Sequence, residues 1–257
     1  MATKKFHFTA GETFERLQPA DLGLKYTSLQ RFEIGQPGGP DSVRIESTGE
    51  ELCLVVVAGR LAYRHQDRAG AAALGDVLYL PIDSRIELSG GPAAVVRFGA
   101  PCARMTRFVH VPFSEVDADE RHKVYGTPAS GTRRDVWNFI DEQFDSSRFL
   151  VGICHGAPGG WTAWPPHEHG DKREETYVYF DMGNGFGLQC VYEDMDGAKA
   201  VALVRDGDVV AIPQGYHPNV GCPKSGIRYV YCMVSLQAED RNFMDLRTQR
   251  IFGERLE

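Results

Sequence analysis

The chain has 257 residues, enough for one large domain or two smaller ones with a proper hydrophobic core. Its net charge of −7, with basic residues scattered and no Lys/Arg block, argues against a nucleic-acid surface; 42% hydrophobic and 25% charged residues is the balance of an ordinary globular protein. The start, MATKKFHFTAGETF, lacks the apolar core of a signal peptide, and no apolar run approaches the ~20 residues of a membrane span, so a cytoplasmic protein with no membrane partner is expected.

Short apolar runs follow one another between Gly, Pro and Asp turns. In the first half, ELCLVVVA (51–58), DVLYLPI (76–82) and AAVVRFG (93–99) predict strands. SEVDADERHKVYG (114–126) reads as a polar, helix-like insert, followed by a short piece, DVWNFIDEQF (135–144). Strands are then predicted at RFLVGIC (148–154), TYVYF (176–180), GLQCVYE (187–193), AVALV (200–204), DVVAIP (208–213) and RYVYCMV (228–234). Many short strands with turn signals between them predict an all-β sandwich or barrel, and the 28 glycines and 14 prolines suit it. The six cysteines form no CxxC pair and several lie inside strand-like runs, so buried reduced thiols are expected rather than a disulfide framework.

Two pairs of segments match in the same order. EELCLVVVAG (50–59) resembles EETYVYFDMG (174–183), placing Glu50 and Glu51 against Glu174 and Glu175. GDVLYLP (75–81) resembles GDVVAIP (207–213). A duplicated β domain is expected, with a first unit over 1–112, a connecting segment over 113–135 and a second unit over 136–257. Offset matching sets Val43, Ile45 and Arg85 where the second half has His167, His169 and His217, so ligand-type residues occur only in the second copy.

That copy contains WPPHEHGDKREETYVYF (164–180). Side chains two apart on a strand share a face, so His167 and His169 would reach one point together. Pro165 and Pro166 favour an extended approach to them. After a short loop, Glu175, Tyr177 and Tyr179 share one face of the next strand, and Glu175 fits the strand phase better than Glu174. His217 follows a Pro-x-Gly turn. Three imidazoles and a carboxylate suit Zn²⁺, Mn²⁺, Fe²⁺ or Ni²⁺, with positions left for water or substrate. Taken singly, an H-x-H pair, a Glu-Glu turn or a turn histidine is ordinary surface chemistry.

The pattern Gly160-x6-His167-x-His169-x5-Glu175-x7-Gly183, followed by Gly207-x5-Pro213-x-Gly215-x-His217-x-Asn219, resembles the two cupin motifs. With WPPHEH, QCVYED, DGDVVAIPQGYHP and the upstream RRDVWNFID, it is similar to one cupin family, the 5-deoxy-glucuronate isomerases of myo-inositol catabolism. The ending TYVYFDM looks more like the related 4-deoxy-5-keto-uronate isomerases of pectin breakdown. The resemblance implies a bicupin: two double-stranded β-helix (jelly-roll) barrels with short connecting helices, the first degenerate and metal-free, the second holding one divalent ion, zinc foremost. It implies an isomerase interconverting aldose and ketose sugar acids through a metal-stabilised enediolate.

Such chemistry needs a base to carry a proton between adjacent carbons. Candidates are Glu174, Tyr177, Tyr179 and Tyr231, each with a plainer reading as a loop carboxylate or a core aromatic. A substrate carboxylate calls for a cation: Lys172, Arg173 and Arg228 are candidates, with Arg148 open, and Gln189 could meet a sugar hydroxyl. The same ligand set would also serve a cupin dioxygenase with Fe²⁺, or a non-enzymatic sugar-binding cupin. No glycine fingerprint for a nicotinamide, no Gly-x-Ser-x-Gly elbow and no helix-turn-helix is visible, and a homodimer through edge strands is expected.

Overall fold

A computed structural model describes residues 3–197 and 199–256. Among the described residues, α-helix is confined to two turns, Pro19–Leu22 and Phe113–Asp117. Nearly everything else that is regular is antiparallel strand. One large sheet sets Ser28–Ile34, Ala93–Pro101, Glu50–His65, Val77–Leu80 and Val109–Val111 side by side. The other orders Lys4–His7, Asp208–Ile212, Arg173–Tyr179, Ile227–Ser235, Phe149–Gly156, Arg134–Ile140 and His122–Tyr125. A four-stranded sheet, including Gly187–Tyr192 and Lys199–Val204, covers the second.

The sixteen-residue strand Glu50–His65 serves two layers because it bends. A register shift between Val56 and Ala58 marks the bulge, and Gly59 follows it with φ +70°; a Cβ there would collide with the Pro92 carbonyl. Before the bend the strand pairs with Ala93–Pro101, and after it with Arg68–Ala73.

The core lies in three layers. Leu52, Leu54, Ile86 and Leu88 fill the inside of the first half. Tyr177, Tyr179, Tyr229, Tyr231 and Met233 line the inside of the second. Between the two large sheets sit Cys53, Val55 and Phe98 from one side and Ile153, Val178 and Val230 from the other. The central strands are therefore apolar on both faces, which is why their sequences run as continuous hydrophobic stretches rather than alternating.

Every apolar run read as a strand is one. The insert at 114–126 differs: only Phe113–Asp117 is helical, and His122–Tyr125 pairs with Arg134–Ile140. Its Lys and His side chains read as helix polarity because an edge strand also tolerates charge. The N-terminal strand Lys4–His7 pairs with Asp208–Ile212, so both 4–7 and 122–125 belong to the sheet of the second half.

The two matched segments have like strand partners when aligned one residue away from the match of their glutamates. Cys53 lies opposite Phe98 and Tyr79, and Thr176 lies opposite Cys232 and Ala211. Tyr79 and Ala211 each stand four residues after the glycine of their Gly-Asp-Val turn. Cys53 thus corresponds to Thr176, Glu51 to Glu174, and Leu52 to Glu175. Glu51 and Glu174 both face the layer between the halves, and each accepts from the other half's chain. Glu51 takes the Ser147 and Arg148 N–H groups at 2.8 and 2.7 Å and the Tyr79 hydroxyl at 2.6 Å. Glu174 takes the N–H groups of Lys25, Tyr26 and Thr27 at 2.6, 2.9 and 2.7 Å, and the Thr27 hydroxyl at 2.7 Å.

Candidate metal centre

Strand phase on Arg173–Tyr179 turns Arg173, Glu175, Tyr177 and Tyr179 to the inside of the second half. His167 arrives from the two-residue strand His167–Glu168, held by pairing with Arg247–Thr248. His169 follows it, and His217 comes from the turn after Asp208–Ile212. The ligand-type nitrogens of His167, His169 and His217 all lie within 4.8 Å of one another, and the three side chains are buried.

Glu175 joins them. Its Oε2 lies 3.3 Å from His169 Nε2 and 3.1 Å from His217 Nε2, yet none of these three atoms makes a hydrogen bond among the described residues. Buried polar atoms converge here without satisfying each other, which is costly unless something else fills the point they share. The backbone fixes two of the rings for that purpose. His217 Nδ1 lies 2.8 Å from the Gly215 carbonyl and His167 Nδ1 lies 3.1 Å from the Pro165 carbonyl, an arrangement that leaves each Nε2 lone pair free. Burial lowers the pKa of His167 and His169, favouring the neutral form a metal needs. Burial would raise Glu175, but His217 and His169 beside it hold its carboxyl well below the usual carboxylate range. The residues fit a divalent ion.

The cavity in front of the cluster, about 60 Å³, is lined by Tyr125, Arg134, Cys154, Tyr177, Tyr229 and Tyr231, with Phe243, Leu246 and Leu256 adding apolar wall. Burial pushes Tyr177, Tyr229 and Tyr231 well above the usual phenol range, so they stand as neutral hydroxyls. Tyr231 donates to Asn138 Oδ1 at 2.5 Å, and Gly152 across the ladder makes room for its ring: a Cβ there would strike the hydroxyl. Glu175 is the one carboxylate lining the cavity among the described residues.

The other sequence candidates separate. Glu174 is turned to the opposite face, where its carboxylate is saturated, so it is corrected from candidate base to a link between the halves. Tyr177 and Tyr231 do line the cavity, and the Tyr231 hydroxyl is engaged with Asn138. Tyr179 donates to Gln189 Oε1 at 2.6 Å. Gln189 itself donates to the His217 carbonyl at 2.8 Å and accepts from Asn219 Nδ2 at 3.0 Å; it steadies the His217 turn and does not line the cavity. Arg228 points outward, paired with Asp181 and lying over the Phe180 ring. Lys172 is exposed beside Asp240, 3.4 Å away. Arg148 donates to the Ser235 and Leu236 carbonyls and covers Tyr26. Arg173 is fully buried and donates to the Asp245 carbonyl at 2.8 Å, but does not line the cavity. Sequence reasoning missed Arg134, a buried cation in the cavity wall. The motif RRDVWNFID contains it, but two adjacent arginines before a strand give no sign of which one turns inward.

The chain is 27% identical over 225 residues to a 5-deoxy-glucuronate isomerase of Geobacillus kaustophilus, covering 79% of this chain and 77% of that one. It is 25% identical over 212 residues to a 4-deoxy-L-threo-5-hexosulose-uronate ketol-isomerase of Rhizobium meliloti, covering 82% and 66%. The crystal structure of an IolB-like protein from Salmonella typhimurium LT2 superposes with a TM-score of 0.84 at 20% identity, covering 97% of both chains, and shares the fold. The pattern of the KduI/IolB family matches residues 2–249, and the chain belongs to that family.

Proposed function

We propose that this isomerase acts on a deoxy-uronate, interconverting 5-deoxy-glucuronate with its ketose isomer. The observation that carries the reading is the convergence of His167, His169, Glu175 and His217, with unsatisfied nitrogen and oxygen atoms, on a cavity walled by neutral phenols. These four residues would hold one divalent ion, zinc foremost and manganese, iron or nickel in its place. When bound, the ion supplies Lewis acidity toward the carbonyl oxygen beside the carbon that loses its proton. A base in the cavity takes that proton and the C–H electron pair becomes the carbon–carbon double bond of an enediolate, while Glu175 stays with the ion-binding set. Tyr177 donates a hydrogen bond to the developing oxygen charge, and the base returns the proton to the former aldehyde carbon. The apolar side chains of Phe243, Leu246 and Leu256 in the cavity wall lower its polarity around the intermediate.

The fold reading that accompanies this is a bicupin, two jelly-roll barrels of which only the second keeps the ligands. The paired strand registers of the halves support it, as does the filling of the first interior with Leu52, Leu54, Ile86 and Leu88. The boundaries at 112 and 136 then describe chain order; sheet membership crosses them at 4–7 and 122–125.

Turnover by protein of measured metal content tests the function. Conversion of 5-deoxy-glucuronate without a redox cofactor is expected, with solvent deuterium entering at the carbon that accepts the proton. Turnover of the 4-deoxy-5-keto-uronate alone would move the chain to the function of its Rhizobium relative. No turnover of either with the metal bound would reject the isomerase reading.

A further inference from the structure

Two of the buried arginines have carboxylate partners. Arg31 meets Glu33 at 2.7 Å and Arg97 meets Glu50 at 2.7 Å. Arg134 does not. Its residue is 3% exposed, and its guanidinium donates to two backbone carbonyls, Thr132 at 3.0 Å and Trp164 at 2.6 Å. Its carbon lies 5.1 Å from the centre of the Tyr125 ring. Burial pulls its pKa down, and the groups that pull it back are Cys154, Tyr229, Tyr125 and Tyr177, all in the cavity wall and none a carboxylate. Asp135, the next residue, faces the other way and is engaged by His122 and Arg133 at 2.9 and 2.7 Å.

A buried cation without a counter-charge is a standing cost, tolerated where an anion arrives from outside. The two carbonyls occupy two of the five guanidinium N–H groups and hold the plane of the fork, leaving donors for a planar acceptor. Arg173, the other arginine on the inner face, is the weaker candidate: it does not line the cavity, and Asp245 and Asp240 already lie in its field.

We propose that Arg134 is the carboxylate anchor of the substrate pocket, pairing with the acid end of a sugar acid while its carbonyl end faces the His167–His169–His217–Glu175 cluster. This rests on the isomerase reading for its orientation, and it makes the pocket selective for acids over neutral sugars. Arg134 is here a specificity residue rather than a member of the proton-transfer machinery.

The test uses the full-length, metal-loaded protein and reads binding rather than turnover. By calorimetry and thermal shift, D-glucuronate should bind and raise the melting temperature. D-glucuronamide, the same ring with a neutral amide, should bind about tenfold or more weakly, the loss of one charge-assisted pair. Arg134→Met should abolish the glucuronate response while keeping the metal, and Arg134→Lys should recover part of it. Equal binding of acid and amide by the unaltered protein would overturn the proposal. So would a folded Arg134→Met protein that binds glucuronate within about twofold of the parent. If Arg134→Met does not fold, because Thr132 and Trp164 lose their donor, the acid-against-amide comparison decides alone. Acid selectivity without isomerisation of any uronate would sink the isomerase reading and keep the anchor; isomerisation without acid selectivity would do the reverse.

Discussion

At the scale of single residues, Glu174 and Glu175 are neighbours with equal burial and opposite tasks, 3% and 4% exposed. Strand alternation sends one carboxylate to three backbone N–H groups of the first half and the other to two imidazoles. Their variants should therefore fail differently. Glu175→Gln should weaken metal retention with little loss of stability. Glu174→Ala should keep the metal but lower unfolding free energy by about 3 kcal/mol, the scale of losing several bonds to a charged acceptor. Elemental analysis beside urea unfolding separates them, and the opposite pattern would mean a one-residue slip of the strand. His169→Ala should retain the fold and lose most of the ion with nearly all turnover, since neither ring nitrogen of His169 makes a hydrogen bond among the described residues. The cysteines show the same dependence on setting. Cys222 is half-buried at the foot of a turn, where the Ser225 hydroxyl, 3.0 Å away, and nearby N–H groups bring its thiol down to about 6. Burial pushes Cys154 up to about 11 and raises Cys53, Cys102, Cys190 and Cys232. Brief alkylation at neutral pH should label Cys222 first, because the thiolate is the nucleophile; peptide mapping that finds another cysteine ahead of it would contradict this.

At the scale of elements, the Gly-Asp-Val turn is the unit used twice. Asp76 accepts the Ala73 N–H at 2.9 Å, and Asp208 accepts the Arg205 N–H at 2.8 Å, each closing its own turn from three residues on. Asp76 goes further, taking the Phe113 N–H at 2.8 Å and pairing with His110 at 3.1 Å. Burial works to raise the Asp76 carboxyl, but His110 and the two N–H groups leave it below its ordinary value. A carboxylate with a depressed folded pKa contributes stability above its unfolded pKa, and that contribution is lost as pH falls through the folded one. Asp76→Asn should cost about 1–3 kcal/mol at neutral pH, and the gap to the parent should shrink toward about pH 3, as urea titrations at both pH values would show. A gap independent of pH would assign the loss to packing. The strand at His122–Tyr125 carries a different lesson. Its charged residues resemble a polar helix, and only the Arg134–Ile140 ladder beside it decides otherwise.

At the scale of the whole molecule, the halves are tied by reciprocal devices: Glu51 reaching into 147–148, Glu174 reaching into 25–27, the N-terminal strand on Asp208–Ile212, and a shared apolar layer. They should unfold together. Calorimetry of the metal-free protein is expected to show a single transition, and removal of residues 1–8 should lower it while exposing the edge of Asp208–Ile212 to self-association. Two resolved transitions would mean that the halves are independent domains. The cluster of His167, His169, Glu175 and His217 was legible in the sequence because their meeting depends on local geometry, the two-residue period of a strand and a Pro-x-Gly turn. The same is true of the strands themselves, whose apolar runs report burial on both faces. That double burial also hid the rest. With no polar side to mark phase, the repeat aligns as well with its glutamates one residue out of step, and only the strand phase shared with Tyr177 and Tyr179 singles out Glu175. Arg134 likewise takes its meaning from a cavity assembled by strands, turns and a C-terminal segment far apart in the chain. Chemistry carried by short spacing is written along the chain; which face a side chain takes, and whether its charge finds a partner, is decided only when distant segments pack.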